Sequence, residues 1–388
     1  MKNLRTPYGV KDYTPSECYA KTRLEDSISA VLRCSGFCHV ATSALDYADN
    51  FRGLELNKMF KLTDTDGSLL VLRPDITRQV VRLAKSKLNR DTQKLYYIAN
   101  SFEFLPDTLG ASTRSREFAQ IGAEILNVKG ISGDTEALIL ALQALKSSGL
   151  DDFIIELGHT DFLNGLLQEI KLNNDDLSEL KSYLNSKDAL GVEMFLSNKK
   201  VSKEISQALA DTATLYGTLD VFEKAKVVTK NPMALSALHN LQSLVKNLVV
   251  AGFEKHIRID LGLIKSDYYS GIIFKGLAGS CGSAILDGGR YNLDGTDGVG
   301  FCIGVERLLQ ALNSLNLQAK KPAVDIAYIN KSGFCGQEFD YITKAKSQGL
   351  SAVKLFVGDK SALIEYCKNN GIKKAIVFSG KKIEEVSV

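Results

Sequence analysis

"REFAQIGAEIL", residues 116–126, alternates with period two, the spacing of a β-strand with one face buried. Ala119, Ile121, Ala123 and Ile125 fall on one face, and Phe118, Gln120, Gly122 and Glu124 on the other. A glutamine and a glutamate flanking a glycine make a polar floor, with a gap over Gly122 where a ligand could approach the backbone. The alternative is a strand surface that faces solvent. Further strand signals lie on both sides of this segment. "MFKLTDTDGSLLVLR" (59–73) reads as a hairpin with an Asp-rich turn at Gly67, and "KLYYIANSFEFL" (94–105) as a strand. "FIIELG" (153–158), "IRIDLGL" (257–263), "DYYSGIIFKG" (267–276) and "GSAILDGG" (282–289) follow. Consecutive strands with short turns predict an antiparallel sheet packed by helices, an α+β fold.

Helix signals fill the gaps. Thr14-Pro15-Ser16-Glu17 is a capping box with proline at the first helical position, opening a helix that runs to about Cys34 and ends at Gly36. A helix is expected from about Asp134 to Ser147. The stretch "GVGFCIGVERLLQAL" (298–312) reads as one helix with Cys302, Val305, Leu309 and Leu312 on its buried stripe. That placement asks what anion Arg307 meets, with Glu306 or another structural carboxylate as the plain answer. The spacing divides the chain into a first core segment (1–159), a helical insertion rich in Lys, Asn and Asp (160–250) and a second core segment (251–318). A short, truncated tail (323–388) follows. In that tail "VDIAYI", "AVKLFVG" and "KAIVFSG" alternate with helices near 336–348 and 361–370, which predicts a small α/β unit with a parallel sheet.

Composition excludes several function classes. Of 388 residues, 45% are apolar and 24% charged, and 48 basic against 45 acidic residues leave a formal charge of +3. Such a balance carries no electrostatic footprint of a nucleic-acid binder. Seven cysteines without any C-x-x-C pair point to free thiols in a reducing compartment rather than a disulfide framework. Four scattered histidines suggest no metal site. The N-terminus lacks an apolar signal segment, and no run of 18 apolar residues follows. A cytoplasmic protein without metal, cofactor or membrane partner is expected.

Three more segments hold candidate site residues. In "VLRPDITRQVVRLA" (71–84), Asp75 and Thr77 stand where a strand gives way to a helix. They serve either as helix caps or, in the case of Asp75, as a holder for a ligand ammonium. In "DYYSG" (267–271), alternation puts Asp267 and Tyr269 on one face and Tyr268 on the other, one tyrosine lining a pocket while its neighbour is core. "LDGGRYNLDG" (286–295) reads as a glycine-rich turn, without the spacing of a phosphate-binding loop.

In chain order, "TPYGVKDYTPSEC", "LRPDIT", "REFAQIGAE", "DYYSG", "GGRY" and "GVGFCIGVERLL" resemble the catalytic core of the histidyl-tRNA synthetases, over about residues 6–315. The resemblance implies a class II synthetase core, an α+β fold around an antiparallel sheet. It implies that Asp75 and Thr77 bind an amino acid's ammonium, that Gln120 and Glu124 face the ammonium and the imidazole, and that Tyr269 and Tyr291 surround the ring. Arg114, Arg116 and Arg307 match cations of the nucleotide site. Two other cations are lost. Glu103 stands where synthetases carry the arginine that grips the α-phosphate, and Ile264 replaces the arginine that stabilises adenylation. Lys265 is adjacent, but on a strand it would point to the opposite face. Ser43 replaces a proline of the first motif. Losing one transition-state donor costs ~10²–10³ in rate, and the acid at 103 adds repulsion.

The "LRPD-x-T" form is typical of the synthetase-like regulatory subunits of ATP phosphoribosyltransferase. That resemblance implies a non-catalytic chain that binds L-histidine as effector and forms a homodimer through the segment around "GFCHVATSALDY" (36–47). The homodimer would join a short-form catalytic subunit in a hetero-oligomer, without a role for tRNA. A divergent histidyl-tRNA synthetase is the alternative.

Overall fold

The computed structural model describes residues 4–88, 91–104, 115–265, 268–279, 281–333, 336–380 and 382–388. The chain divides into two compact units, Met1–Ala319 and Lys320–Val388. The first unit begins with α1 (Pro15–Cys34), β1 (Cys38–His39), β2 (Leu45–Tyr47), β3 (Lys61–Thr63) and β4 (Leu69–Leu72). It continues through α2 (Thr77–Lys87), β5 (Gln93–Phe102), β6 (Glu117–Leu126), α3 (Ile131–Ser147) and β7 (Phe153–His159). Six helices come next: α4 (Thr160–Leu167), α5 (Asn174–Asn185), α6 (Ala189–Asn198), α7 (Lys203–Thr214), α8 (Val221–Val228) and α9 (Pro232–Val250), with the two-residue β8 (Tyr216–Gly217) between α7 and α8. The unit closes with β9 (Ile257–Asp260), β10 (Tyr269–Ala278), β11 (Leu286–Leu293), β12 (Thr296–Gly304) and α10 (Val305–Ser314).

The capping box forms as the sequence predicts: Glu17 N–H donates to Thr14 Oγ1 at 3.5 Å, and Thr14 N–H to Glu17 Oε2 at 2.8 Å. Gly36, at φ +83°, turns the chain out of α1. Nine strands form the main sheet in the order β1-β5-β6-β12-β11-β10-β7-β9-β8. The six from β5 to β7 are antiparallel, whereas β1 on β5 and β9 on β7 are parallel. A separate three-stranded sheet, β2-β4-β3, contains the predicted hairpin. The main sheet's back face and the helices after β7 share one hydrophobic core, running from Ile28 and Leu138 through Ile121 and Ile155 to Leu241.

Two sequence readings are corrected here. Residues 298–304 are strand, not helix, and the helix starts only at Val305. The fully buried Val299, Phe301 and Ile303 alternate with Gly298, Gly300, Cys302 and Gly304, a period of two, and a glycine at nearly every second position disfavours a helix. On α10 the buried positions are Val305, Leu308, Ala311 and Leu312. The glycine-rich "LDGGRYNLDG" is also mostly strand. Only Asp294 (φ +50°) and Gly295 (φ +78°) make the turn, closing a two-residue hairpin between β11 and β12.

The second unit is built from β13 (Ile326–Asn330), α11 (Gly336–Ser347), β14 (Ala352–Lys354), α12 (Lys360–Asn370), β15 (Lys374–Ser379) and β16 (Lys382–Ser387). The strand order is β14-β13-β15-β16. The first three are parallel, as the alternation predicts, but β16 adds an antiparallel fourth. Its sequence, KIEEVS, gives no apolar run to read, and charge of this kind suits an edge strand.

An ion pair fastens the middle of β11 to α3. Arg290 reaches Asp134 at 2.6 Å and donates to the carbonyls of Val128 (2.8 Å) and Gly130 (3.1 Å). Removing one partner of a buried pair strands the other charge, at a cost of about 3–5 kcal/mol. Arg290→Met should therefore lower the unfolding free energy read from urea melts by that order, and Arg290→Met combined with Asp134→Leu should recover most of it. Equal stability of the single variant and the wild type would contradict this role.

Candidate functional site

The register of the antiparallel strands explains how a cavity forms on the front face of the main sheet. Glu124 on β6 pairs with Gly300 on β12, Gly122 with Tyr97 on β5 and Cys302 on β12, and Tyr291 on β11 with Gly298 and Tyr269. Each large side chain lies across a neighbouring glycine. A Cβ at Gly300 would stand 1.9 Å from Glu124 Oε2, one at Gly298 2.5 Å from the Tyr291 ring, and one at Gly289 2.7 Å from the Tyr269 ring. The gap over Gly122 is real but taken, since a Cβ there would meet the Tyr97 ring and hydroxyl at 2.2 Å. The expectation that a ligand approaches the backbone at Gly122 is therefore overturned: Tyr97 fills that space.

Asp75, Thr77, Gln120, Glu124, Tyr269 and Tyr291 all line one cavity of about 70 Å³, together with Tyr97, Tyr268, Asp287 and Cys302. At its centre Glu124 is only 1% exposed, so the solvent-facing reading of β6 does not hold. Thr77 Oγ1 donates to Glu124 Oε1 and Tyr291 Oη to Oε2, each at 2.7 Å. Each carboxylate oxygen keeps a second lone pair for another donor. Gln120 Oε1 accepts from Ser101 Oγ at 2.9 Å. Asp75 Oδ1 accepts the Arg78 amide at 2.8 Å, so Asp75 does cap α2 while also lining the cavity. Thr77, by contrast, spends its hydroxyl on Glu124.

Burial dominates the electrostatics. It pushes the Glu124 carboxyl up to about 8, with the hydrogen bonds from Tyr291 and Thr77 opposing the shift. Burial likewise raises Asp75, and the Cys302 thiol and the Tyr97, Tyr268, Tyr269 and Tyr291 phenols move up for the same reason. A cavity holding two desolvated carboxyls is short of positive charge, so a cationic guest would be stabilised there.

Of the arginines matched to the nucleotide site, the two that are described, Arg116 and Arg307, do not line this cavity. Arg116 lies against the edge-to-face pair Phe60 and Phe104, its guanidinium 4.6 and 5.1 Å from the ring centres. Arg307 is exposed and donates to the Ala284 carbonyl at 2.8 Å, and among the described residues it pairs with no carboxylate. Its neighbour Glu306 does the fastening, accepting from Tyr13 Oη at 2.7 Å and from Ala119 N–H at 3.0 Å. Arg114 and Asp267 lie outside the described residues. At the positions of the lost cations, Glu103 donates its amide to the Arg116 carbonyl at 2.9 Å, and Ile264 packs against the hydrophobic core.

Two placements differ from the sequence reading. Tyr268 and Tyr269 do not split between core and pocket; both line the cavity, stacked with ring centres 4.3 Å apart. β10 begins only at Tyr269, and its pairing with β11 is irregular between Tyr269 and Ile273, so simple alternation fails there. Lys265 is not on a strand either, and it forms an ion pair with Asp287 on the cavity wall. Tyr97, Asp287 and Cys302 were unassigned in the sequence because only the strand register aligns them with Gly122. The described residues include no cluster of groups suited to a metal ion and no helix long and apolar enough to cross a membrane.

Fold and cavity together define a class, the histidyl-tRNA synthetase-like proteins: residues 9–308 match the family model Histidyl-tRNA synthetase. Solved structures agree on the fold. One of an ATP phosphoribosyltransferase regulatory subunit/histidyl-tRNA synthetase from Bacillus halodurans superposes with a TM-score of 0.84 at 24% identity, covering 98% of this chain and 99% of that one. A histidyl-tRNA synthetase from Nostoc gives 0.80 at 18%, covering 99% and 97%. Among curated relatives, the ATP phosphoribosyltransferase regulatory subunit of Acetivibrio thermocellus is 32% identical over 95% of this chain and 90% of its own length. That of Clostridium botulinum strain Langeland is 31% identical over 98% and 93%. The chain belongs to the family of ATP phosphoribosyltransferase regulatory subunits.

The raised Glu124 carboxyl makes a prediction about stability. A folded-state value of about 8 against an ordinary 4.5 means that the folded chain holds a proton the unfolded chain has released. Its contribution to stability is therefore greatest at the acid end and is lost as pH rises from about 4.5 to about 8, by up to ~1.4 kcal/mol per pH unit. Glu124→Gln, which mimics the protonated acid, should flatten this part of the urea-midpoint profile. An unchanged slope in the variant would contradict the assignment.

Proposed function

We propose that this chain is the non-catalytic regulatory subunit of a short-form ATP phosphoribosyltransferase, serving the first step of L-histidine biosynthesis, and that free L-histidine binds the cavity as feedback effector. One observation carries the reading: six residues matched to amino-acid recognition meet in a single cavity around Glu124, while the two lost cation positions hold Glu103 and Ile264. In this reading Asp75 takes the ammonium, Glu124 accepts the imidazole N–H, and Tyr269 and Tyr291 flank the ring. The relatives' shared name supports the partner assignment. Histidine inhibits only by favouring a less active arrangement of the complex, and substrates that favour the active one must weaken histidine binding by the same factor.

A homodimer belongs to the same proposal. Leu45 and Tyr47 on β2 and Leu62 on β3 are 40%, 52% and 44% exposed, and they flank the half-buried Leu70 and Leu72 on one face of the small sheet. An apolar sheet face of this kind suits burial against a second copy. Tyr47→Glu should shift the mass measured by light scattering from dimer to monomer; a dimer that persists would move the interface elsewhere.

Calorimetry tests the effector site. A charge-assisted hydrogen bond is worth ~1.5–3 kcal/mol, so Glu124→Ala should weaken L-histidine binding at least tenfold, and unchanged affinity would refute the assignment. Histidine-dependent ATP–pyrophosphate exchange should be absent. Exchange at a synthetase's rate would instead establish the divergent synthetase.

A further inference from the structure

The cavity has acids for the cationic ends of an amino acid, yet none of its lining residues among those described is a cation for the carboxylate end. None of the described arginines lines the cavity. Arg73 donates to the carbonyls of Asn100 at 2.6 Å and Thr42 at 2.7 Å. Arg116 lies against the ring pair Phe60 and Phe104, its buried Nε without a hydrogen-bond partner among the described residues. Arg78 opens into a different cleft, with Arg52, Arg82 and Lys85. Ile264 leaves the position of the lost arginine apolar.

Lys265 is different. It is 18% exposed and paired with Asp287, and that carboxylate lines the cavity between Cys302 and Lys275 in the strand register. The positive charge of Lys265 also opposes the upward shift that burial imposes on the Cys302 thiol, another lining group. A flexible ammonium with three donors can keep one carboxylate and accept a second. We propose that Lys265 is the carboxylate anchor of this cavity, supplying from the next residue in the chain the charge lost at Ile264, and that it selects ligands carrying both a carboxylate and a cation. The proposal rests on the amino-acid reading above and deepens it by naming the group that recognises the acid end. Asp287 holds the ammonium at the wall while the cavity is empty and shares it when the ligand's carboxylate arrives.

The test compares L-histidine with histamine, which has the same imidazole and amine but no carboxylate, by calorimetry. The wild type should prefer histidine at least tenfold. Lys265→Met should lose that preference by weakening histidine while leaving histamine unchanged or tighter, and Lys265→Arg should keep it. The double variant Lys265→Met with Asp287→Asn should still lack it, because no ammonium is left; a lysine needed only to neutralise Asp287 would regain the preference in that double variant. A Lys265→Met protein that retains the wild-type preference overturns the proposal alone. A wild type that binds neither compound overturns the amino-acid reading and the anchor together. Should Lys265→Met fail to fold, Lys265→Gln is read by the same criteria.

Discussion

The site depends on one buried carboxylate. Glu124 is the residue around which β6, β12, β11 and α2 are registered: its side chain lies over Gly300, and its oxygens accept from Thr77 and Tyr291. Any side chain at Gly300 would displace it, because the Cβ would also stand 2.5 Å from the Ala123 carbonyl. The glycines of β11 and β12 are therefore the space in which the polar side chains of adjacent strands lie flat. This lets a sheet with a hydrophobic back carry a polar, enclosed front. Keeping a desolvated carboxyl in that enclosure raises its proton affinity, and a guest that brings positive charge is what relieves it.

The same geometry separates recognition from chemistry. Amino-acid recognition needs short-range hydrogen bonds from residues fixed by strand register, and those residues converge. Adenylation needs cations aimed at phosphate, yet Arg307 is turned to a backbone carbonyl and Arg116 is held by two aromatic rings. A core that keeps the first and lacks the second suits the sensing role proposed above. Because Asp75 caps α2 and also lines the cavity, occupation of the site bears directly on the start of a helix whose charged side chains are basic throughout.

Much of this was legible in the sequence because it rests on local periodicity. The alternation in residues 116–126 placed Gln120 and Glu124 on one face, and the capping box fixed the start of α1. What was not legible depends on pairing between strands. The run at 298–312 carries a helical stripe and a strand alternation at once, and only the sheet decides between them at Gly304. Tyr97 across Gly122 cannot be read from either strand alone. Lys265 follows the same rule: its segment is not strand, so alternation counted from β10 does not tell which way it faces.

The central claim is that this chain senses histidine for a partner enzyme, and reconstitution tests it most directly. A short-form ATP phosphoribosyltransferase catalytic subunit is assayed for phosphoribosyl-ATP formation alone, with this chain, and with this chain plus L-histidine. The account predicts that the chain raises activity, that histidine lowers it again, and that Glu124→Ala keeps the first effect while losing the second. No activation, or inhibition that survives Glu124→Ala unchanged, would contradict it.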